Sequence, residues 1–399
     1  MPGIQLAFPG QKYLVGFGAV YAVLVIALAI PYFQSHALYL NALKFPLFAD
    51  FSNPERYGLA PNRTYDFKLQ SDNETLGAWF VFSDTYYLSL PSIPTAPADH
   101  IRPALSAHPT VLFLHGNGAT RAFAARVQHY QAFTGRLRAN VLAVDYRGFA
   151  DSSGTPSETG LVADARAAFE WLAEHGARAE DVLVVGHSLG TGVAGQLGRV
   201  LAKDGVVPRG IALLAPFSSI DAVLETYNLF GVIPLMKPIA IIPGAVTLMK
   251  AAVVHRFDTL QAVPFLPSPI LIAHAENDGD IPASHSHVLF EAFLEPHMPP
   301  LLKPKNLYDI KTDEYNTITA QKIARNARRA QVVQVQEIKG FGTIEKFVED
   351  KSGAVVENGS EARKEGREVV LVKTLAGGHN TVGIQEGVVD IIGRTFGLL

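Results

Sequence analysis

The sequence predicts an α/β chain built on a mostly parallel sheet with flanking helices, preceded by one N-terminal transmembrane helix. Three observations predict it. From about Thr110, short apolar and often β-branched runs alternate with turns and helical stretches; a Gly-x-Ser-x-Gly turn sits at one strand-to-helix junction; and an uncharged apolar run lies near the N-terminus.

The N-terminal run, Leu14 to Phe33 (LVGFGAVYAVLVIALAIPYF), is 20 residues without a charge. That length crosses a hydrocarbon core of about 30 Å at roughly 1.5 Å per residue. A cleaved signal peptide would have a shorter apolar core, roughly 7 to 15 residues, and a small-residue cleavage site after it. The flank here is Pro31-Tyr32-Phe33-Gln34, so residues 1–35 are expected to be an uncleaved anchor. Lys12 and Lys44 are too sparse to orient it by charge. Glycosylation sequons at Asn62, Asn73 and Asn358 all follow the span and fit a lumenal body.

Residues 36–109 read as a preamble to the core, with candidate strands at Thr64 to Leu69 and Leu76 to Phe82. The core domain is expected over 110–399. Its strand runs are Thr110 to Leu114, Val141 to Val144, Val182 to Val185, Ile211 to Leu214, Ile270 to Ala273 and Val369 to Val372. Continuous apolar runs suit strands covered on both faces. Helical spacing of apolar residues fills Arg121 to Thr134, Leu161 to His175 and Gly192 to Ala202. Two segments interrupt the rhythm. The stretch at about 217–263 is apolar but broken by Pro234, Pro238 and Pro243, which argues for a cap or lid rather than a simple second span. The stretch at about 295–367 is charged and expected to be a solvated, partly flexible excursion without chemistry.

Composition limits what the chain does. Lys and Arg number 34 against 37 Asp and Glu, a net charge of −3, so nothing favours wrapping a nucleic acid. There is no cysteine, which removes disulfides, thiolate metal sites and a cysteine nucleophile. No metal cluster and no cofactor site is expected.

Gly186-His187-Ser188-Leu189-Gly190 follows the run VLVV and opens a helical stretch, the setting of a nucleophile elbow. The flanking glycines are required because a Cβ two residues either side of the strained serine would crowd the turn. A serine hydroxyl is a weak nucleophile at neutral pH and needs a base, which in turn needs an orienting acid. In such a fold they follow in the order serine, acid, histidine. After ILIA comes His274-Ala275-Glu276-Asn277-Asp278-Gly279-Asp280, where Asp278 is the expected acid, Asp280 its rival and Glu276 a distant third. Beyond the last strand run, Gly377-Gly378-His379 offers His379 as base. His285 and His287 lie too close to Asp278 along the chain, and His187 is expected to point away from the elbow. An oxyanion needs preorganised donors, expected to be the backbone amides of Leu189 and Asn117, with Gly118 a further donor.

Together, LHGNG (114–118), DYRGFADSSGTPSETG (145–160), GHSLGTGVA (186–194) and HAENDGDIP (274–282) resemble the alpha/beta-hydrolase-domain monoacylglycerol and lysophosphatidylserine lipases of the endoplasmic reticulum membrane. The resemblance implies the alpha/beta-hydrolase fold, one N-terminal anchor with a lumenal catalytic domain, a lipid ester substrate, and Ser188, Asp278 and His379 as nucleophile, acid and base. The expected reaction is hydrolysis of a monoacylglycerol or lysophospholipid through an acyl-enzyme. An acyl-protein or acyl-CoA thioesterase, and a non-catalytic binding protein on the same fold, are the alternatives.

Overall fold

A computed structural model describes residues 11–226, 228–229, 233–234, 242–304, 311–350, 352–358 and 366–399. The strands of the main sheet are β1 (Thr64–Ser71), β2 (Glu74–Val81), β3 (Thr110–Leu114), β4 (Asn140–Val144), β5 (Val182–His187), β6 (Gly210–Leu214), β7 (Ile270–Ala275), β8 (Gln334–Ile338), β9 (Gly342–Glu349) and β10 (Arg367–Thr374). They form one ten-stranded sheet in the order β1-β2-β4-β3-β5-β6-β7-β10-β9-β8. The six central strands, β4 through β10 in that order, are parallel; β1 and β2 at one side and β9 and β8 at the other are antiparallel.

The expected apolar runs all fall in central strands, and alternation sends their residues to two cores. Leu112, Val184, Leu213, Ile272 and Leu371 face one side; Phe113, Val185, Leu214, Leu271 and Val370 face the other. The helices used below are α1 (Gln11–Leu28), α2 (Pro31–Tyr39), α3 (Ala124–Arg136), α4 (Glu158–Glu174), α5 (Leu189–Lys203), α6 (Ala245–Ala251), α7 (Ser284–Leu294), α8 (Thr312–Val332) and α9 (Glu386–Thr395). α4, α5 and α7 cover the first face, through Leu161, Leu197 and Phe290 among others. α3 and α9 cover the second, through Tyr130, Phe133 and Ile392.

Two expectations meet a different outcome, and a third is seen only in part. The N-terminal apolar run is not one helix. It breaks at Ile30, which is extended (φ −90°, ψ 123°) because the ring of Pro31 disfavours a helical residue before it. Among the described residues no single helix is long and apolar enough to cross a membrane; Gly16–Leu28 and Pro31–Tyr39 pass that test only as a pair bent by 94°.

The charged stretch at 295–367 builds structure. α8 leads into β8, and β9 pairs along its whole length with β10, from Gly342↔Thr374 to Glu349↔Arg367. Its charges are matched in place: Glu345 meets Arg329 at 2.6 Å and Lys373 at 3.1 Å, Lys346 meets Glu368 at 2.7 Å, and Arg367 meets Glu349 at 2.7 Å. A buried Phe347 anchors the strand. Cross-strand ion pairs allow a sequence with mixed charge to extend a sheet edge.

Of the 217–263 segment, residues 227, 230–232 and 235–241 lie outside the described residues, so the expected cap is seen in part. The described part includes Ile220–Thr226, α6 and Thr259–Ala262. α6 packs on α1, with Met249 against Tyr21, Val25 and Leu28. The Gln34 side chain, on α2, links the end of α1 to the residues after α6, donating to the carbonyls of Leu28 (3.0 Å) and Ala252 (3.2 Å) and accepting from the Val254 amide at 2.8 Å.

Candidate active site

Four loops converge at the carboxyl ends of the central strands, where open α/β sheets bind ligands. β5 ends in the elbow. Ser188 has φ 52° and ψ −120°, a backbone conformation that L side chains rarely adopt. The flanking glycines permit it: a Cβ on Gly190 would sit 2.0 Å from the Leu114 carbonyl, and one on Gly186 would sit 2.3 Å from the Gly190 carbonyl. Packing this close lets the serine project over the start of α5.

β7 and β10 pair in parallel up to Ala275↔Thr374, so the loops after them emerge side by side. Asp278 lies three residues beyond one strand and His379 five beyond the other. The structure brings Ser188, His379 and Asp278 into one line. The Ser188 hydroxyl lies 2.8 Å from His379 Nε2, and His379 Nδ1 lies 2.8 Å from Asp278 Oδ2. With the ring's Nδ1–H donating to the carboxylate, Nε2 is left to accept from the serine.

Asp278 is held as an acceptor from every side. Its Oδ1 takes the amides of Asp280 and Ile281, each at 2.9 Å, and its side chain is fully buried. The buried His274 Nε2 stands 3.1 Å from Oδ2. Burial pushes this carboxyl up, but the hydrogen bonds from His274 and His379 outweigh it and hold it well below the usual range. Asp280 and Glu276 are exposed. Ligand atoms of Asp278, Asp280 and His379 lie within 4.8 Å of one another, a grouping that the His379–Asp278 hydrogen bond accounts for.

The loop that carries His379 is fixed by Asn277, whose Oδ1 accepts from the Gly378 amide at 2.9 Å, and by His187. His187 does not point away from the site. Its Nε2 donates to the His379 carbonyl at 2.8 Å, and its ring borders the cavity beside Ser188. Burial, followed by the neighbouring His379 and His129, keeps His187 far below the ordinary histidine range, so it serves as a neutral donor.

The loop after β3 is gripped from two sides. Arg126 on α3 donates from Nη2 to the carbonyls of Gly116 (2.9 Å), Asn117 (3.2 Å) and Gly118 (2.6 Å). On the opposite side, the amides of Gly118, Ala119 and Thr120 donate to the carbonyls of Tyr39 (2.8 Å), Leu43 (2.6 Å) and Phe45 (3.0 Å). Gly118 is therefore no oxyanion donor, because its N–H is committed to Tyr39. The amides of Asn117 and of Leu189, first residue of α5, donate to no carbonyl among the described residues. Loop 115–118 abuts the elbow: a Cβ on Gly116 would lie 3.1 Å from that of Ser188.

Sequence reasoning missed His274, Asn277 and Arg126. His274 carried a signal, since a histidine within an apolar strand run must find a polar partner. The bracing by residues 39–45 comes from main-chain carbonyls, which leave no mark in residue identity.

The sequence profile of the alpha/beta hydrolase family matches residues 111–340. The chain belongs to the alpha/beta hydrolase family. It is an ester-cleaving serine hydrolase. Curated relatives include the lysophosphatidylserine lipase ABHD12 of Danio rerio, 31% identical over 290 residues that cover 69% of this chain and 70% of the relative. The ABHD12 of Xenopus tropicalis is 32% identical over 258 residues, covering 63% of each chain. Human protein ABHD12B is 33% identical over 268 residues, covering 64% of this chain and 68% of the relative. The hydrolase thus spans between 63 and 70% of the length of these relatives.

Proposed function

We propose that the hydrolase cleaves the carboxylic ester of a lipid with one acyl chain, a monoacylglycerol or a lysophospholipid, at a membrane surface. The observation that carries the proposal is the continuous hydrogen-bond chain from Ser188 through His379 to Asp278, with two unclaimed amides beside it. His379 Nε2 takes the Ser188 proton as the hydroxyl oxygen attacks the ester carbon. The oxyanion is received by the Asn117 and Leu189 amides, and the protonated His379 returns its proton to the leaving alcohol. A water activated by the same histidine then attacks the acyl-enzyme and frees the fatty acid. Asp278 keeps Nδ1 protonated and stabilises the imidazolium throughout.

Lipid substrates are supported by the relatives' names and by the apolar surface near the N-terminus. Phe17 and Val23 on α1 are 74% and 65% exposed, Phe48 is fully exposed, and Leu248 on α6 is 73% exposed. A face of this kind costs free energy in water and is stabilised in an acyl-chain layer. In this reading the α1–α2 pair inserts in the bilayer, residues 217–263 form the cap over the site, and the body is lumenal in the endoplasmic reticulum. The exposed sequons at Asn62 and Asn73 agree with that side. The test is fatty-acid release from a panel of monoacylglycerols, lysophospholipids and acyl thioesters by membranes containing the wild type or Ser188→Ala. Release from lipid esters that Ser188→Ala abolishes is the expected result. Equal release by both proteins would overturn the mechanism, and turnover of thioesters alone would overturn the substrate class.

A further inference from the structure

Beyond α2 the segment that braces loop 118–120 becomes an exposed apolar loop. Leu43, Phe45 and Leu47 are exposed, and among the described residues nothing covers Phe48 at all. Phe48 also holds a φ of 58°, a left-handed backbone that bulky side chains rarely adopt. The loop is nevertheless held firmly. The carbonyls of Tyr39, Leu43 and Phe45 accept the amides of residues 118–120, and those of Leu40 and Ala42 accept the amides of Leu43 (2.9 Å) and Lys44 (3.1 Å). Pro46 brings no N–H. The polar side chains turn inward: Asn41 donates to the Gly148 carbonyl at 2.9 Å and Lys44 to the Ala150 carbonyl at 2.7 Å. A segment that spends its carbonyls and its polar side chains on the protein, and displays apolar groups outward, suits a layer without water, where unpaired main-chain groups are costly. A face made for a protein partner carries a polar rim. Here the exposed apolar side chains run back through Tyr32 and Phe33 of α2 to α1, and Lys44 is the only Asp, Glu, Lys or Arg between Tyr13 and Ala49.

We infer that Leu43–Phe48 dips into the acyl-chain layer as a second membrane contact, distinct from α1, and seats the oxyanion side of the active site against the leaflet that holds the ester. The inference rests on the membrane-surface reading and deepens it. Main-chain hydrogen bonds join this loop to the residues immediately after Asn117, so the membrane contact and the oxyanion loop form one unit. The loop touches no reacting atom. Its contribution therefore appears with esters held in a bilayer and vanishes with esters dissolved in water.

The experiment places the full chain in phosphatidylcholine vesicles, with or without bromine on the acyl chains, and reads tryptophan fluorescence. Trp79 is fully buried and Trp171 stacks on Phe67, so the wild type supplies a background to subtract. Phe17→Trp on α1, Phe48→Trp, and Val335→Trp on the far edge strand β8 each add one reporter at an exposed position. Brominated chains should dim the added signal of Phe17→Trp and Phe48→Trp roughly twofold and leave that of Val335→Trp unchanged. Quenching of Phe17→Trp without Phe48→Trp overturns the inference, and so does equal quenching of Phe48→Trp and Val335→Trp. If neither Phe17→Trp nor Phe48→Trp is quenched, the membrane reading itself fails, a distinct result. In turnover, Leu47→Asp with Phe48→Asp should slow hydrolysis of a monoacyl ester embedded in vesicles roughly tenfold and leave a water-soluble ester within roughly twofold. An equal loss on both substrates, or no loss on either, overturns the inference. If the wild type cleaves no embedded ester, the lipid-esterase reading fails and the fluorescence alone decides the loop.

Discussion

Substituting Asp278 by Asn tests the acid more sharply than deleting it. The Asp278 Oδ1 accepts two backbone amides at 2.9 Å, from Asp280 and Ile281, so the oxygen of an amide side chain must stay on that side. Its NH2 group then faces the Nδ1 of His379, which lies 2.8 Å from the present carboxylate oxygen. Two donors cannot share that contact, so the imidazole shifts its proton to Nε2. Nε2–H then points at the Ser188 hydroxyl instead of accepting from it. Inverting a catalytic histidine in this way, and losing the charge that stabilises its imidazolium, costs about a thousand- to ten-thousandfold in kcat, or about 4 to 5.5 kcal/mol of barrier. Burst kinetics on a water-soluble acyl ester measure it, because acylation of Ser188 is the step affected. The exposed Asp280 contributes only its main-chain N–H, so Asp280→Asn should retain activity within roughly threefold. An Asp278→Asn enzyme within tenfold of wild type, or an equal loss in Asp280→Asn, would refute the assignment.

Other outcomes follow from the same geometry. Gly190→Ala places a Cβ 2.0 Å from the Leu114 carbonyl, a backbone atom that cannot swing aside, so the variant should lose roughly 3 kcal/mol of stability in denaturant titrations together with its probe labelling. The segment that braces loop 118–120 is itself tied down by Asn41 to the Gly148 carbonyl at 2.9 Å and by Lys44 to the Ala150 carbonyl at 2.7 Å. Asn41→Ala with Lys44→Ala should lower kcat roughly three- to tenfold on a soluble ester and leave KM unchanged, since it loosens the oxyanion loop without touching the substrate. Asp151 is raised by burial but lowered more strongly by Arg121 and Lys68, leaving its pKa at about 2. A depressed carboxyl stabilises the fold fully above its unfolded pKa near 4, and this contribution is lost as pH falls toward 2; Asp151→Asn should cost about 1 kcal/mol at pH 7, allowing for its partial exposure, and flatten acid unfolding in that window.

The central strands were legible because strands buried on both faces cannot avoid continuous apolar runs, and TVLFL, VLVV and VVLV each lie within one. Ser188, Asp278 and His379 were legible for a related reason: each stands a few residues past such a run, on a loop marked by glycine or acid. β8 was not legible. All five of its residues are exposed on a sheet edge, so burial leaves no period in Gln334–Ile338. β9 was hidden because its charged positions are satisfied by partners on other elements, Arg329 on α8 and Glu368 and Lys373 on β10. The break at Ile30 turns on one proline within an otherwise uniform apolar run, and hydropathy weighed over 20 residues does not register it. His187 was misjudged because its orientation depends on where the His379 carbonyl ends up, 192 positions away.

The most direct measurement is peptide mapping of the fluorophosphonate adduct on the full chain, for the wild type, Ser188→Ala and His379→Ala. The account predicts a single adduct on Ser188 in the wild type, none in Ser188→Ala, and labelling slowed at least a thousandfold in His379→Ala. An adduct on another residue, or labelling of Ser188 that proceeds unchanged without His379, would contradict it.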